Sequence, residues 1–98
     1  MNDAPAALSD DIKPRLPRGV RLTHSEAQGG WVLLAPERVF KADPVAHEIL
    51  KRCDGAATLA EIVDDLAKAF AGAPRDRIRA DVVALLAGLA DKKLLELG

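Results

Sequence analysis

The stretch Leu33 to Pro44, LLAPERVFKADP, limits the fold of this chain more than any other. Leu33-Leu34 and Val39-Phe40 are apolar runs too short for helices, and Pro36-Glu37-Arg38 separates them. Short apolar runs bounded by turn residues read as strands. Asp43 then offers an N-cap oxygen, and Pro44 suits a first helical position because its missing N–H would have no partner there. A hairpin therefore runs straight into a helix. Its last strand, Arg38 to Lys41, is short, and nothing later in the sequence reads as a strand that could pair on its far side.

Upstream, GVRLTHS (residues 19–25) alternates: Val20 and Leu22 fall on one face, Arg21 and Thr23 on the other. That is a half-buried strand. Gly29-Gly30 closes a turn-like break, and WVLLA (residues 31–35) is apolar on both faces, which places it centrally. An antiparallel meander follows from this order. Downstream the period changes to that of a helix. Val45, Ala46, Ile49, Leu50 and Cys53 share one side of a first helix stopped near Gly55. Thr58 and Glu61 form a capping box for a second, whose stripe runs from Leu59 through Ile62, Val63 and Leu66 to Phe70. Pro74 opens a third, with Ile78, Val82, Leu85, Leu86 and Leu89 on one side, fading near Asp91 to Lys93. The expected class is α+β: a three-stranded antiparallel sheet followed by three α-helices, like a winged helix-turn-helix. Residues 1–18, with three prolines and few large apolar residues, read as a flexible arm or linker remnant, and residues 19–98 as the one domain.

Charge and composition narrow the function. The formal net charge is −1, whereas a duplex DNA binder is clearly basic. A DNA-binding winged helix is the alternative reading, resting on Arg75, Arg77 and Arg79 at the start of the third helix. Arg77 points away from the other two, however, and Asp76 and Asp81 interrupt the run. The single cysteine excludes an internal disulfide, and no apolar run approaches the ~20 residues of a membrane span. With no signal-peptide pattern at the N-terminus, the expected location is the cytoplasm.

Catalytic and metal-binding constellations are missing from the sequence. His24 and His47 stand in different elements, without a second ligand at metal-binding spacing. Cys53 lies on an apolar stripe and reads as a buried thiol. Asp64 and Asp65 diverge by about 100° on a helix and cannot aim at one atom. No cofactor is expected. The short third strand offers something else: unpaired main-chain groups, which are the basis of β-strand addition by a peptide.

The segments PRLPRGVRL, WVLLAPERV, ADPVAHEIL, CDGAATLAEIV and DVVALLAGLADKKLL closely resemble the pyrroloquinoline quinone biosynthesis protein D (PqqD) family, from about Pro14 to Leu97. The resemblance implies a non-catalytic peptide chaperone with a peptide-recognition-element winged-helix fold. Such a protein binds the ribosomally made precursor PqqA as an added strand and presents it to the radical SAM enzyme PqqE, which cross-links a Glu and a Tyr. Carried onto this chain, the strand edge is Arg38, Val39, Phe40 and Lys41. The groove wall comes from Arg75, Ile78, Arg79, Val82 and Leu85. Some relatives are fused behind the oxidase PqqC, and the proline-bearing arm would suit such a linker. Ala42-Asp43 stands where the family often has Leu-Asn; Asp keeps the cap, and the missing Leu reshapes the pocket.

Overall fold

The computed structural model describes residues 8–98. Strands β1 (Arg21–Ser25), β2 (Gly30–Ala35) and β3 (Arg38–Ala42) form one antiparallel sheet in the order β1-β2-β3. Helices α1 (Pro44–Leu50), α2 (Leu59–Ala69) and α3 (Arg75–Asp91) follow. This is the class expected from the sequence, with the strand that is apolar on both faces in the centre. Register decides what each face carries. Leu22, Leu33 and Phe40 stand opposite one another, and all three belong to the helix-side core. Arg21, Leu34 and Val39 form the next row, on the other face, as do Thr23, Val32 and Lys41. Leu33 is fully buried between the sheet and the helices, with Leu50, Leu59, Leu66 and Leu86 around the same core.

Local chemistry fixes the helix ends. Asp43 Oδ1 accepts the Ala46 N–H at 2.7 Å, and Pro44 occupies the first turn. Thr58 Oγ1 accepts from Glu61 N while Glu61 Oε1 accepts from Thr58 N, so two of α2's orphan donors are satisfied reciprocally. Helix α1 is shorter than its apolar stripe suggested. After Leu50 the chain tightens, with Arg52 N–H bonded to Ile49 O and Cys53 N–H to Leu50 O, and the stripe continues through Cys53 in a turn. At the far end of α3, Lys93 takes a left-handed φ of 64°, and Leu94 N–H bonds back to Leu89 O. This reversal folds Leu94 and Leu95 into the core.

The segment expected as an arm behaves otherwise from Leu8 onward; residues 1–7 lie outside the described residues. Pro14 is fully buried, and Leu8, Ile12 and Leu16 pack on the core. Arg15 bridges to Asp54 and to Glu96, exchanging both main-chain hydrogen bonds with Glu96 at 2.9 Å. Leu59 N–H donates to Ile12 O and Ala60 N–H to Asp10 O, so this strap supplies acceptors to the first turn of α2. The folded unit therefore starts before residue 19. Proline content misled the sequence reading: a segment without regular structure can still be held, provided its carbonyls have donors to meet.

Candidate functional site

Two residues, Pro36 and Glu37, connect β2 to β3, and Ala35 pairs with Arg38 across them. A hairpin loop of this length closes on a hydrogen-bonded pair, and bonded and non-bonded pairs then alternate. Phe40 and Ala42 accordingly point their N–H and C=O toward β2. Val39 and Lys41, opposite Leu34 and Val32, point theirs outward. Among the described residues no strand pairs on that side. The vacant edge thus amounts to one donor and one acceptor from each of Val39 and Lys41. Val39 is 50% exposed, so the surroundings of this row are open to solvent.

The ends of β3 are anchored differently. Arg38 donates from its guanidinium to Lys92 O, just past α3, which ties the start of the strand to the third helix. Phe40 is half-buried against the core. Beyond the other end lies a cleft of about 680 Å³, lined by Trp31, Lys41, Ala42, Val45, His47 and Phe70 among others. Val45 and Phe70 also border an apolar hollow of about 60 Å³ floored by Ile49, Leu66, Ile78 and Val82, with Asp81 at its rim. Trp31, Val45 and Phe70 are all exposed large apolar residues, and they cluster on this one side of the molecule.

The third helix divides the residues expected in the groove wall. Ile78 and Val82 are buried and reach the hollow; Leu85, at nearly the same angle as Ile78, is half-buried. Arg75 and Arg79 are elsewhere. Arg75 pairs with Asp64 of α2 at 2.7 Å. Arg79 pairs with Asp10 and also donates to Leu8 O, both in the strap. Arg79 and Asp81 diverge by about 160° around the helix axis, which sets these arginines toward α2 and the strap and away from the hollow. Arg77, exposed, faces Asp81 at 4.0 Å. A sequence pattern places residues on a helix but not the partners that occupy them, so the two arginines could not be separated from Ile78 and Leu85 in advance.

The histidines gave no sign of their arrangement. His47 stacks on Trp31, with ring centroids 4.2 Å apart, and His24 meets the same indole edge-on at 5.3 Å. His24 and Trp31 are cross-strand partners, a relation that register alone reveals. Asp64 and Asp65 diverge as expected: the first binds Arg75, the second Arg52. Burial pushes the Cys53 thiol up to about 12, with Asp54 adding to the shift, so it is not a nucleophile near neutral pH. Arg52 and Lys51, bonded to Glu48, hold its carboxyl below the usual range; the N–H groups of Ala56 and Ala57 do the same for Asp54. Both carboxylates are thus committed to local structure. What remains on the surface is an open strand edge beside an apolar cleft, an arrangement that can hold an extended peptide.

The family described as coenzyme PQQ synthesis protein D (PqqD) matches residues 30–95. A relative named PqqA binding protein, from Rhodopseudomonas palustris (strain HaA2), is 47% identical over 89 residues, covering 91% of this chain and 86% of its own. The bifunctional coenzyme PQQ synthesis protein C/D of Methylorubrum extorquens is 46% identical over 92 residues, or 94% of this chain and 24% of that one. Among solved structures, the solution structure of the PqqD truncation of Methylobacterium extorquens PqqCD, described as a functional and stand-alone recognition element for ribosomally synthesized and post-translationally modified peptides, superposes with a TM-score of 0.76. It is 46% identical and covers 94% of this chain and 97% of its own. The crystal structure of PqqD from Xanthomonas campestris gives a TM-score of 0.58 at 44% identity, covering 93% and 100%.

Proposed function

Since this chain belongs to the PqqD family, we propose that it is a carrier for the precursor peptide PqqA in the synthesis of PQQ. It is a recognition domain and not an enzyme, a reading supported by relatives named PqqA binding protein and by a structural neighbour described as a recognition element. In this reading PqqA adds as a strand along β3, in the cytoplasm, and is presented to PqqE, the radical SAM enzyme that cross-links a Glu and a Tyr of the peptide. The observation that carries the reading is the outward pair of main-chain groups at Val39 and Lys41, left vacant beside an apolar surface. The seat comprises the edge Arg38 to Lys41 with Ile78, Val82 and Leu85. Arg75 and Arg79 serve the pairing of α3 with α2 and the strap. A fusion to PqqC, known in one relative, would join through the residues that precede this strap.

A direct test follows from the alternation along β3. Val39→Pro removes a donor that faces the guest and leaves the bonds to β2 in place. PqqA titrated into this variant should bind at least about tenfold more weakly, the equivalent of one or more lost hydrogen bonds at an edge. In the unaltered protein the amide resonances of Val39 and Lys41 should move most. A folded Val39→Pro protein with unchanged affinity would end the strand-addition reading. DNA binding finds no support here, because Arg75 and Arg79 are already engaged with carboxylates.

A further inference from the structure

The vacant edge is short. Val39 and Lys41 offer four main-chain groups between them, and each hydrogen bond contributes only about 1 kcal/mol net. Association itself costs several times one such bond. A peptide held at this edge therefore needs side-chain seats, and those seats also decide which peptide is held. Lys41 and Ala42, the last residues of β3, line the cleft, so it adjoins the end of the edge along which a guest would run. Its wall is formed by Trp31, Val45 and Phe70, which are 37%, 53% and 40% exposed. Ala42 adds only a methyl group, so the floor stays open.

The cleft carries charges of both signs, and they differ in how they are engaged. Asp43 is occupied as the cap of α1, and Glu48 is bonded to Arg52 and Lys51. Lys41 has no ion-pair partner among the described residues. We propose that this cleft is a specificity subsite for the guest peptide, taking a bulky apolar side chain just outside the strand-paired segment, with a neighbouring carboxylate of the peptide meeting Lys41. This rests on the peptide-carrier reading and adds to it: the edge holds the backbone, and the cleft selects the sequence.

Trp31 is the only tryptophan, so its emission reports on the cleft without labelling. Val45 can be changed with little risk to the fold, being exposed in the first turn of α1, where an acidic residue is favourable to the helix. The experiment titrates PqqA, and a set of PqqA peptides with each apolar residue replaced in turn by alanine, into the unaltered protein, Val45→Asp and Val45→Ser. The subsite predicts that PqqA changes Trp31 emission. It predicts that both variants weaken binding about tenfold or more, with Asp the worse, and that one alanine peptide loses a similar factor against the unaltered protein and nothing further against Val45→Ser. Should PqqA shift the Val39 and Lys41 amides yet leave Trp31 silent and bind both variants normally, the subsite is wrong and strand addition stands. Should PqqA not bind the unaltered protein at all, the carrier reading falls and the subsite with it.

Discussion

Residues 8–18 and strand β3 are both short lengths of extended chain at the rim of the same small domain, and they treat their main-chain groups in opposite ways. The strap has almost no regular structure, yet Asp10, Ile12, Pro14 and Arg15 all hydrogen-bond to α2, to the turn before it or to the C-terminal tail. β3 is regular and bonded to β2, yet its outer row has no partner strand among the described residues. Secondary structure therefore does not tell which segment holds the fold together. The disposition of N–H and C=O groups does. Extended chain with both edges engaged belongs to the scaffold, and extended chain with one edge vacant is where a partner can add.

The largest effect that tests this contrast comes from deleting the chain through Leu16. That removes the five main-chain hydrogen bonds that join the strap to the rest of the domain, from Leu59, Ala60, Gly55, Arg15 and Glu96, and uncovers the core beneath Pro14. A loss of about 5 kcal/mol is expected from the bonds alone, read as the urea midpoint. Cys53 offers a second readout. Its thiol, held at about 12 by burial, should react very slowly with a disulfide reagent in the intact protein and quickly after the deletion. A truncated chain as stable as the full one would make the strap mere decoration.

Next in size is a pair of proline variants in β3. Phe40→Pro removes a bond to β2 and a half-buried ring, and should cost about 3 kcal/mol or more. Val39→Pro touches only the vacant row and should cost about 1 kcal/mol or less in stability while weakening peptide binding. Equal destabilisation by the two would mean that the row at Val39 is not vacant.

A smaller effect is expected in acid. Asp54 and Glu48 have folded-state values below their ordinary ones, Asp54 from the N–H groups of Ala56 and Ala57, and Glu48 from Arg52 and then Lys51. Groups depressed in this way stabilise the fold fully above the ordinary carboxylate value, and the contribution is lost as pH falls from about 4.5 toward the folded-state values. Urea midpoints should therefore drop in that window, and Asp54→Asn should flatten part of the drop. Since Asp54 and Gly55 receive the strap, the loss should appear there first in amide exchange, before the sheet. The smallest expected change is a gain. Lys93 holds a left-handed φ where glycine is at ease, so Lys93→Gly should raise stability by about 0.5 kcal/mol without altering binding at β3.

Much of the fold was legible because its signals are local. The Asp43-Pro44 start, the Thr58–Glu61 box and the period-two pattern of β1 each need only neighbouring residues to act. The border position of β3 was legible in part: no later strand follows it, and the apolar faces of β2 mark that strand as the centre, which leaves β3 outside. What could not be read depends on partners distant in sequence. Arg79 meets Asp10 across 69 positions, and Arg15 meets Glu96 across 81. Nothing about Arg79 on its helix distinguishes it from a groove residue until the strap is in place. The cleft was hidden for a related reason: Trp31, Val45 and Phe70 come from three elements, and each alone looks like an ordinary apolar position.

Arg15 exchanges both main-chain hydrogen bonds with Glu96, so the strap and the tail after α3 run side by side. Each of the two segments thus closes an open edge of the other, and loosening either one leaves main-chain groups of its neighbour to be satisfied by water.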